Sequence, residues 1–365
     1  MKNRLVITVI LVITFAFTGV SQTTDVFNRK NIEARMLLVA KWQLAHPNHP
    51  LYDWTNGAFY AGIFAAYETT RSPDLMAALL EMGEKNGWKP GPRFDHADDI
   101  AISQTYIDLY RLKKDKKMIQ PTIDAVNRLK TEKGEQVAKN GITWWWCDAL
   151  FMAPPTLAKL AKTTGDRSYL DLNDRFFQET YDRLYNHEEN LYARDATYLI
   201  NEKGEGKREA NGKKVFWSRG NGWVLGGLVR LLKELPKDHP KRGFYLTQYK
   251  AMMERIASLQ QGDGLWRSSL LDPEAYPGGE ASGSGFDTYA FAWGINNGIL
   301  ERDKYLPAVR KAWTALNGLV HPDGMVGWCQ PIGADPRRNF SSDSWEVYGA
   351  GAFLLAGSEV AKLKI

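Results

Sequence analysis

Asp148 is the residue of this chain best placed to move a proton. It follows Trp144-Trp145-Trp146-Cys147 and precedes Ala149-Leu150-Phe151-Met152-Ala153-Pro154-Pro155. Consecutive indoles are costly to expose, and their faces suit the apolar faces of sugar rings. A carboxyl against such a wall loses hydration, which favours its neutral form and raises its pKa. A general acid working near neutral pH needs that environment. On this stretch alone, a helix cap accounts for the Asp equally well. The case for chemistry rests on similar aromatic and polar segments elsewhere.

Phe94-Asp95-His96-Ala97-Asp98-Asp99 gathers three acids and a histidine at a helix start. The helix dipole explains one of the acids, two at most, and close carboxylates raise the pKa of one member. In Trp217-Ser218-Arg219-Gly220-Asn221-Gly222-Trp223, two indoles flank an Arg in a backbone kept small by glycines. Such an Arg can clamp a carboxylate through two parallel hydrogen bonds while the indoles stack on a ring; an Arg paired to a neighbouring acid is the structural alternative. Trp54-Thr55-Asn56-Gly57 opens another apolar segment in the same way. Ser282-Gly283-Ser284-Gly285 lacks the Lys and spacing of a phosphate loop, and close packing explains it better. No Gly-x-Ser-x-Gly elbow occurs, the six histidines form no zinc pattern, and Cys147 and Cys329 can be one disulfide or two free thiols.

These segments need a frame to hold them. Each of them, like Ser341-Ser342-Asp343-Ser344-Trp345-Glu346, precedes an apolar helical stretch: Ala58 to Tyr67, Ile100 to Leu112, Ala149 to Lys162, Val224 to Leu235, Thr288 to Leu300 and Val347 to Val360. Each of those follows a more amphipathic one, such as Asp74 to Asn86 or Tyr169 to Tyr185. A helix apolar on nearly every side is buried on nearly every side. Six such pairs, irregularly spaced, fit a closed ring better than an open solenoid. The expectation is an all-α (α/α)6 barrel of about twelve helices, six inner and six outer, with one cleft at the end where the loops meet. Short β pieces are expected around Leu191 to Ile200 and Lys214 to Trp217.

With 365 residues, 44% hydrophobic and 12% aromatic, the chain can bury a large core. A net charge of +5, dispersed, suits an anionic small ligand and gives no nucleic-acid footprint. Met1-Lys2-Asn3-Arg4, the apolar run Leu5 to Phe17 and the small residues Gly19 and Ser21 have the pattern of a cleavable export signal over residues 1–22. A single domain over 23–365 is then expected in the periplasm or outside the cell, not held at a membrane.

The Trp217-to-Trp223 segment, Cys147-Asp148-Ala149-Leu150-Phe151-Met152-Ala153-Pro154 and the Asp98-Asp99 segment resemble glycoside hydrolase families 88 and 105, with family 105 the closer match. The resemblance spans nearly all of the chain after the leader. It implies a metal-free (α/α)6 barrel, without cofactor, acting on acidic oligosaccharides left by polysaccharide lyases, rhamnogalacturonan-type above all, which end in a 4,5-unsaturated uronic acid. It makes Asp148 the acid and base that hydrates the double bond, unlike ordinary glycoside hydrolysis. It puts the second Asp at Asp98 or Asp99, and Trp217, Arg219 and Trp223 at the uronate. Trp54, Asn56, His96, Trp145, Trp146 and Arg194 complete the expected substrate contacts. Family 105 members often carry a His where this chain has Arg194 and Asp195. Competing readings are an inverting glycosidase using Asp148 with Asp98 or Asp99, a non-catalytic sugar-binding protein, and, more weakly, an isomerase or epimerase.

Overall fold

The computed structural model describes residues 25–364, so the expected leader lies outside the described residues. The long helices come in six consecutive pairs. In the first half these are α1 (Arg29–Ala45) and α2 (Trp54–Thr70), α3 (Pro73–Lys85) and α4 (Ser103–Lys113), then α5 (Gln120–Thr131), followed by the short α6 (Glu135–Asn140), and an inner helix split into α7 (Ala149–Met152) and α8 (Pro154–Thr164). In the second half they are α9 (Ser168–Leu184) and α10 (Ser218–Glu234), α11 (Arg242–Ser258) and α12 (Ala281–Asn296), and α13 (Arg302–Gly318) and α14 (Val347–Val360). The second member of each pair packs on its counterparts: α2 touches α4, α4 touches α8, α7 and α8 touch α10, α10 touches α12, α12 touches α14 and α14 returns to α2. The inner ring is therefore closed, as the apolar pattern requires.

Burial follows the same division. Every residue of α12 from Ala281 to Ile295 and every residue of α14 is buried, whereas α3 buries only Leu75, Leu79, Met82 and Gly83. Each large apolar side chain removed from water contributes about 1.5–3 kcal/mol against the entropy of ordering the chain. Close approach sets where the inner helices meet. A Cβ on Gly62 would lie 2.6 Å from the Gly351 carbonyl, so α2 and α14 touch backbone to backbone. Asp53 starts α2 by accepting from the Thr55 amide at 3.0 Å and its hydroxyl at 2.6 Å.

Two local expectations change. First, α10 begins at Ser218 and α12 at Ala281, so Arg219 to Trp223 and Ser282 to Gly285 lie in first helical turns instead of loops. Glycine disfavours helix, but the two helices cross where side chains would collide: a Cβ on Gly283 would sit 2.5 Å from Ser218 Oγ. Second, the third inner helix is broken at Ala153, because Pro154 and Pro155 have no N–H to give to Leu150 and Phe151. The Gln104 side-chain amide instead donates to the carbonyls of Phe151 at 2.9 Å and Met152 at 3.2 Å. The short β pieces are present where expected. Tyr185–Asn186 pairs with Leu191–Tyr192, and isolated bridges join Arg208 to Lys214 and Trp217 to Ser269. No helix among the described residues is long and apolar enough to cross a membrane.

Candidate active site

The segments ahead of the inner helices are tied to one another around the mouth. The Cys147 amide donates to the Arg194 carbonyl at 2.8 Å. The Ser218 amide donates to Ser268 at 2.8 Å. His49 Nε2 lies 2.8 Å from Glu346 Oε2. Asp148 sits at this mouth, just before the single turn α7. The proline break leaves that turn short, so its neighbours hold it in place. A Cβ on Gly227 would lie 2.0 Å from the Leu150 carbonyl, so only glycine lets α10 press this closely on α7.

Asp148 caps nothing: its side chain makes no bond to the first amides of α7. Its Oδ1 accepts instead from the Cys147 thiol at 3.2 Å. Burial raises its pKa, against the opposing pull of Arg194, the Cys147 bond and Arg219. Asp98 keeps 18% of its side chain exposed, and its pKa is pushed up to about 8, first by burial and next by the charge of Asp148. The two carboxyls thus feel each other's charge, and both have pKa values raised above the usual carboxylate range, as a proton-handling pair requires.

The other two acids of that segment are occupied. Asp99 takes the Arg93 amide at 2.7 Å, Arg93 Nε at 3.0 Å and Arg93 Nη2 at 2.5 Å. Asp95 accepts from the Gln136 amide at 2.8 Å. Both pin the loop, whereas Asp98 is bound by neither Arg93 nor Gln136. His96 lies with its ring 4.6 Å from the Trp146 ring, and burial, then Arg93, lowers its pKa to about 4, so it is neutral at ordinary pH.

Arg194 is the cation at Asp148. It donates to Asp195 Oδ2 at 2.7 Å, its guanidinium lies 5.4 Å from the Trp145 ring, and its side chain is 19% exposed. Burial works against its charge, but Asp148 and the bond to Asp195 outweigh it. Asp195 is itself held low: its bonds to Thr197 and Arg194 overcome burial. Trp145 and Trp54 are half-buried, and Trp54 stacks on Tyr348 with centroids 5.4 Å apart. Both keep part of their ring surface open beside the cleft.

Four expected substrate contacts are placed elsewhere. Arg219 is wholly buried; its guanidinium donates to the carbonyls of Gln330 and, at 2.9 Å, Pro331, between the rings of Trp217 and Tyr348. It holds the 328–340 segment against α10, and its one unpartnered nitrogen, Nε, is buried out of reach of a substrate carboxylate. Trp217 is buried as one plate of that sandwich, and its indole N–H donates to Gln330 Oε1 at 3.3 Å. Trp223 is also wholly buried, against Phe151 and Phe286 in the barrel core. Asn56 spends its amide on the carbonyls of Asn48 and Pro50, at 2.9 and 3.0 Å. Sequence reasoning passed over Arg93, Gln330 and Glu280. Glu280 caps α12 through the amides of Ser282 and Gly283 and lies 3.9 Å from Arg219; an acid just ahead of Ala-Ser-Gly was the available signal. Cys147 and Cys329 are unpaired and buried. Among the described residues no group of three or more His, Cys, Asp or Glu could hold a metal ion.

A closed helical ring with a buried carboxyl pair and aromatic walls at its mouth is the arrangement of an (α/α)6-barrel carbohydrate-active enzyme. The profile of Glycosyl Hydrolase Family 88 matches residues 29–364, and the chain belongs to that family of glycoside hydrolases. It is 48% identical over 348 residues to an unsaturated 3S-rhamnoglycuronyl hydrolase of Formosa agariphila, covering 92% of each chain. It is similar to the solved structure of a glycosyl hydrolase family 88 protein from Bacteroides vulgatus, with a TM-score of 0.85, 31% identity, and coverage of 92% of this chain and 99% of the other. A solved structure described as a polysaccharide lyase is also similar, with a TM-score of 0.83, 32% identity, and coverage of 91% of this chain and 97% of that one.

Proposed function

We propose that this glycoside hydrolase removes a 4,5-unsaturated uronic acid from the non-reducing end of lyase-generated oligosaccharides, with rhamnose as the linked sugar. The observation that carries the chemistry is the Asp148–Asp98 pair beside Arg194. The linked sugar is taken from the name of the Formosa relative, matched along nearly its whole length. Asp148, protonated, gives its proton to C4. The electrons of the double bond form the new C4–H bond, and the positive charge at C5 is shared with the ring oxygen. Water adds to C5 and returns its proton to Asp148. The C5 hemiketal opens to a ketone, which frees the ring oxygen and turns C1 into a hemiacetal. That hemiacetal breaks to an aldehyde and releases the rest of the saccharide.

Asp98, neutral at pH 7, donates a hydrogen bond to a ring hydroxyl and keeps a second negative charge away from Asp148. Arg194 meets the uronate carboxylate, a role the buried Arg219 cannot take, and Trp145 and Trp54 give faces to the rings. Within the wider relationship we place the chain nearer family 105, on its Arg219-to-Trp223 and Asp148-to-Pro154 segments. We also propose export to the periplasm or beyond, on the pattern of residues 1–22.

The similarity to a polysaccharide lyase supports a second reading. A lyase takes the C5 proton and creates the conjugated double bond, whereas this hydrolase consumes it. Incubation with polymer and with lyase-digested fragments separates the two. Falling absorbance of the double bond on fragments supports hydration; rising absorbance on intact polymer supports elimination.

A further inference from the structure

At the other end of the ring, where the inner helices finish, a cavity of about 560 Å³ runs up into the barrel. Seven basic and three acidic residues line it. The acids are shared among more cations than they can neutralise. Asp108 is in contact with Lys159 and lies 3.7 Å from Arg111. Glu234 lies 3.0 Å from Arg111, 3.4 Å from Lys159 and 3.2 Å from Lys162. Glu359, beneath the wall, serves both Lys233 at 2.6 Å and Lys362 at 2.9 Å.

Arg230 stands apart from these pairs. It is only 8% exposed, and its Nε donates to Gln104 Oε1 at 2.6 Å. Among the described residues no acid or carbonyl reaches its two terminal nitrogens, which face the cavity. A buried guanidinium without a counter-charge is costly. Partial negative charge at helix C-termini favours cations, but it fades within the last turn, and Arg230 lies a full turn before the end of α10. Gln104 cannot swing away to relieve it, because its amide is committed to the carbonyls of Phe151 and Met152.

We propose that this cavity is a second ligand site, which binds a tetrahedral oxyanion, sulfate or phosphate, on the terminal nitrogens of Arg230 with Lys233 at its mouth. A planar, forked guanidinium is suited to two oxygens of such an anion at once. The site is independent of the saccharide cleft and needs no substrate to be seen.

The test is calorimetric titration of the full chain with sodium sulfate, sodium phosphate and a sulfated monosaccharide, with chloride adjusted to constant ionic strength. Saturable binding of one equivalent, at least tenfold weaker in Arg230→Gln, is expected. Should that variant not fold, Lys233→Gln, on a half-exposed side chain, is expected to weaken binding severalfold without altering hydrolysis. Uptake of the inorganic ions alone would assign the site to free oxyanion; uptake of the sulfated sugar as well would assign it to a sulfated metabolite. Absence of saturable binding of all three, or binding untouched by both substitutions, would overturn the proposal.

Discussion

Replacing Asp98 by Asn is expected to stabilise the protein increasingly as pH rises, while impairing turnover. Folding moves this carboxyl from its ordinary value of 3.8 to about 8. Between those values the folded chain keeps a proton that the unfolded chain releases, so stability falls as pH rises through the window. A tenfold change in proton affinity corresponds to about 1.4 kcal/mol, which sets a ceiling of about 6 kcal/mol for the whole move. The carboxyl retains 18% exposure and shares its field with Asp148, which shrinks the effect. About 2 kcal/mol at pH 8 is the expected gain. Asn matches the shape of the neutral acid and needs no proton to fold. Urea unfolding of both proteins near pH 4, 6 and 8 measures the difference directly. The advantage of Asn should be small at the acid end and grow toward pH 8. A difference that stays constant with pH, or runs the other way, would refute the assignment of Asp98 as a proton-retaining partner of Asp148.

The other expectations concern the same mouth. Asp148→Asn should fold normally, judged by its melting curve, and lose at least about a thousandfold in kcat, the scale of a missing acid–base group. Arg194→Ala should raise KM for the acidic saccharide at unchanged fold, whereas Arg219→Ala should lower the melting temperature, because two buried carbonyls lose their donors at about 1–3 kcal/mol each. Cys147→Ala removes a donor that favours the ionised form of Asp148, so the alkaline limb of the kcat/KM profile should move up by about half to one pH unit, and Cys147→Ser should restore it. His96 has its pKa lowered from 6.5 to about 4, so the folded state sheds a proton that the unfolded state binds. Stability should therefore fall as pH drops from about 6.5 to 4, and His96→Gln should flatten that slope, read by urea unfolding.

The ring was legible because inner and outer helices obey different rules. Segments such as Ala58 to Tyr67 and Val347 to Val360 have no wet face, while Asp74 to Asn86 keeps one, and that contrast survives in any window of sequence. The break at Pro154-Pro155 was equally open to reading and was missed by treating Ala149 to Lys162 as one helix. The starts of α10 and α12 were hidden because glycine argues against helix, and only the opposing backbone shows why it is needed there. Adjacent acids cannot be told apart by type. Asp98 and Asp99 differ in that the side chain and amide of Arg93 both reach Asp99. Arg219 shows the same limit from the other side. A guanidinium can clamp a carboxylate or two carbonyls, and it is the 328–340 segment, more than a hundred residues away in sequence, that claims it.

The order of two events tests the central claim most directly. In stopped-flow with a lyase-made unsaturated rhamnose-linked disaccharide, absorbance of the C4=C5 bond and appearance of free rhamnose are followed together. Hydration by Asp148 requires the double bond to vanish before or together with release of the sugar, and both to fail in Asp148→Asn. Release of rhamnose while the double bond persists would place the attack at the anomeric carbon and contradict the account.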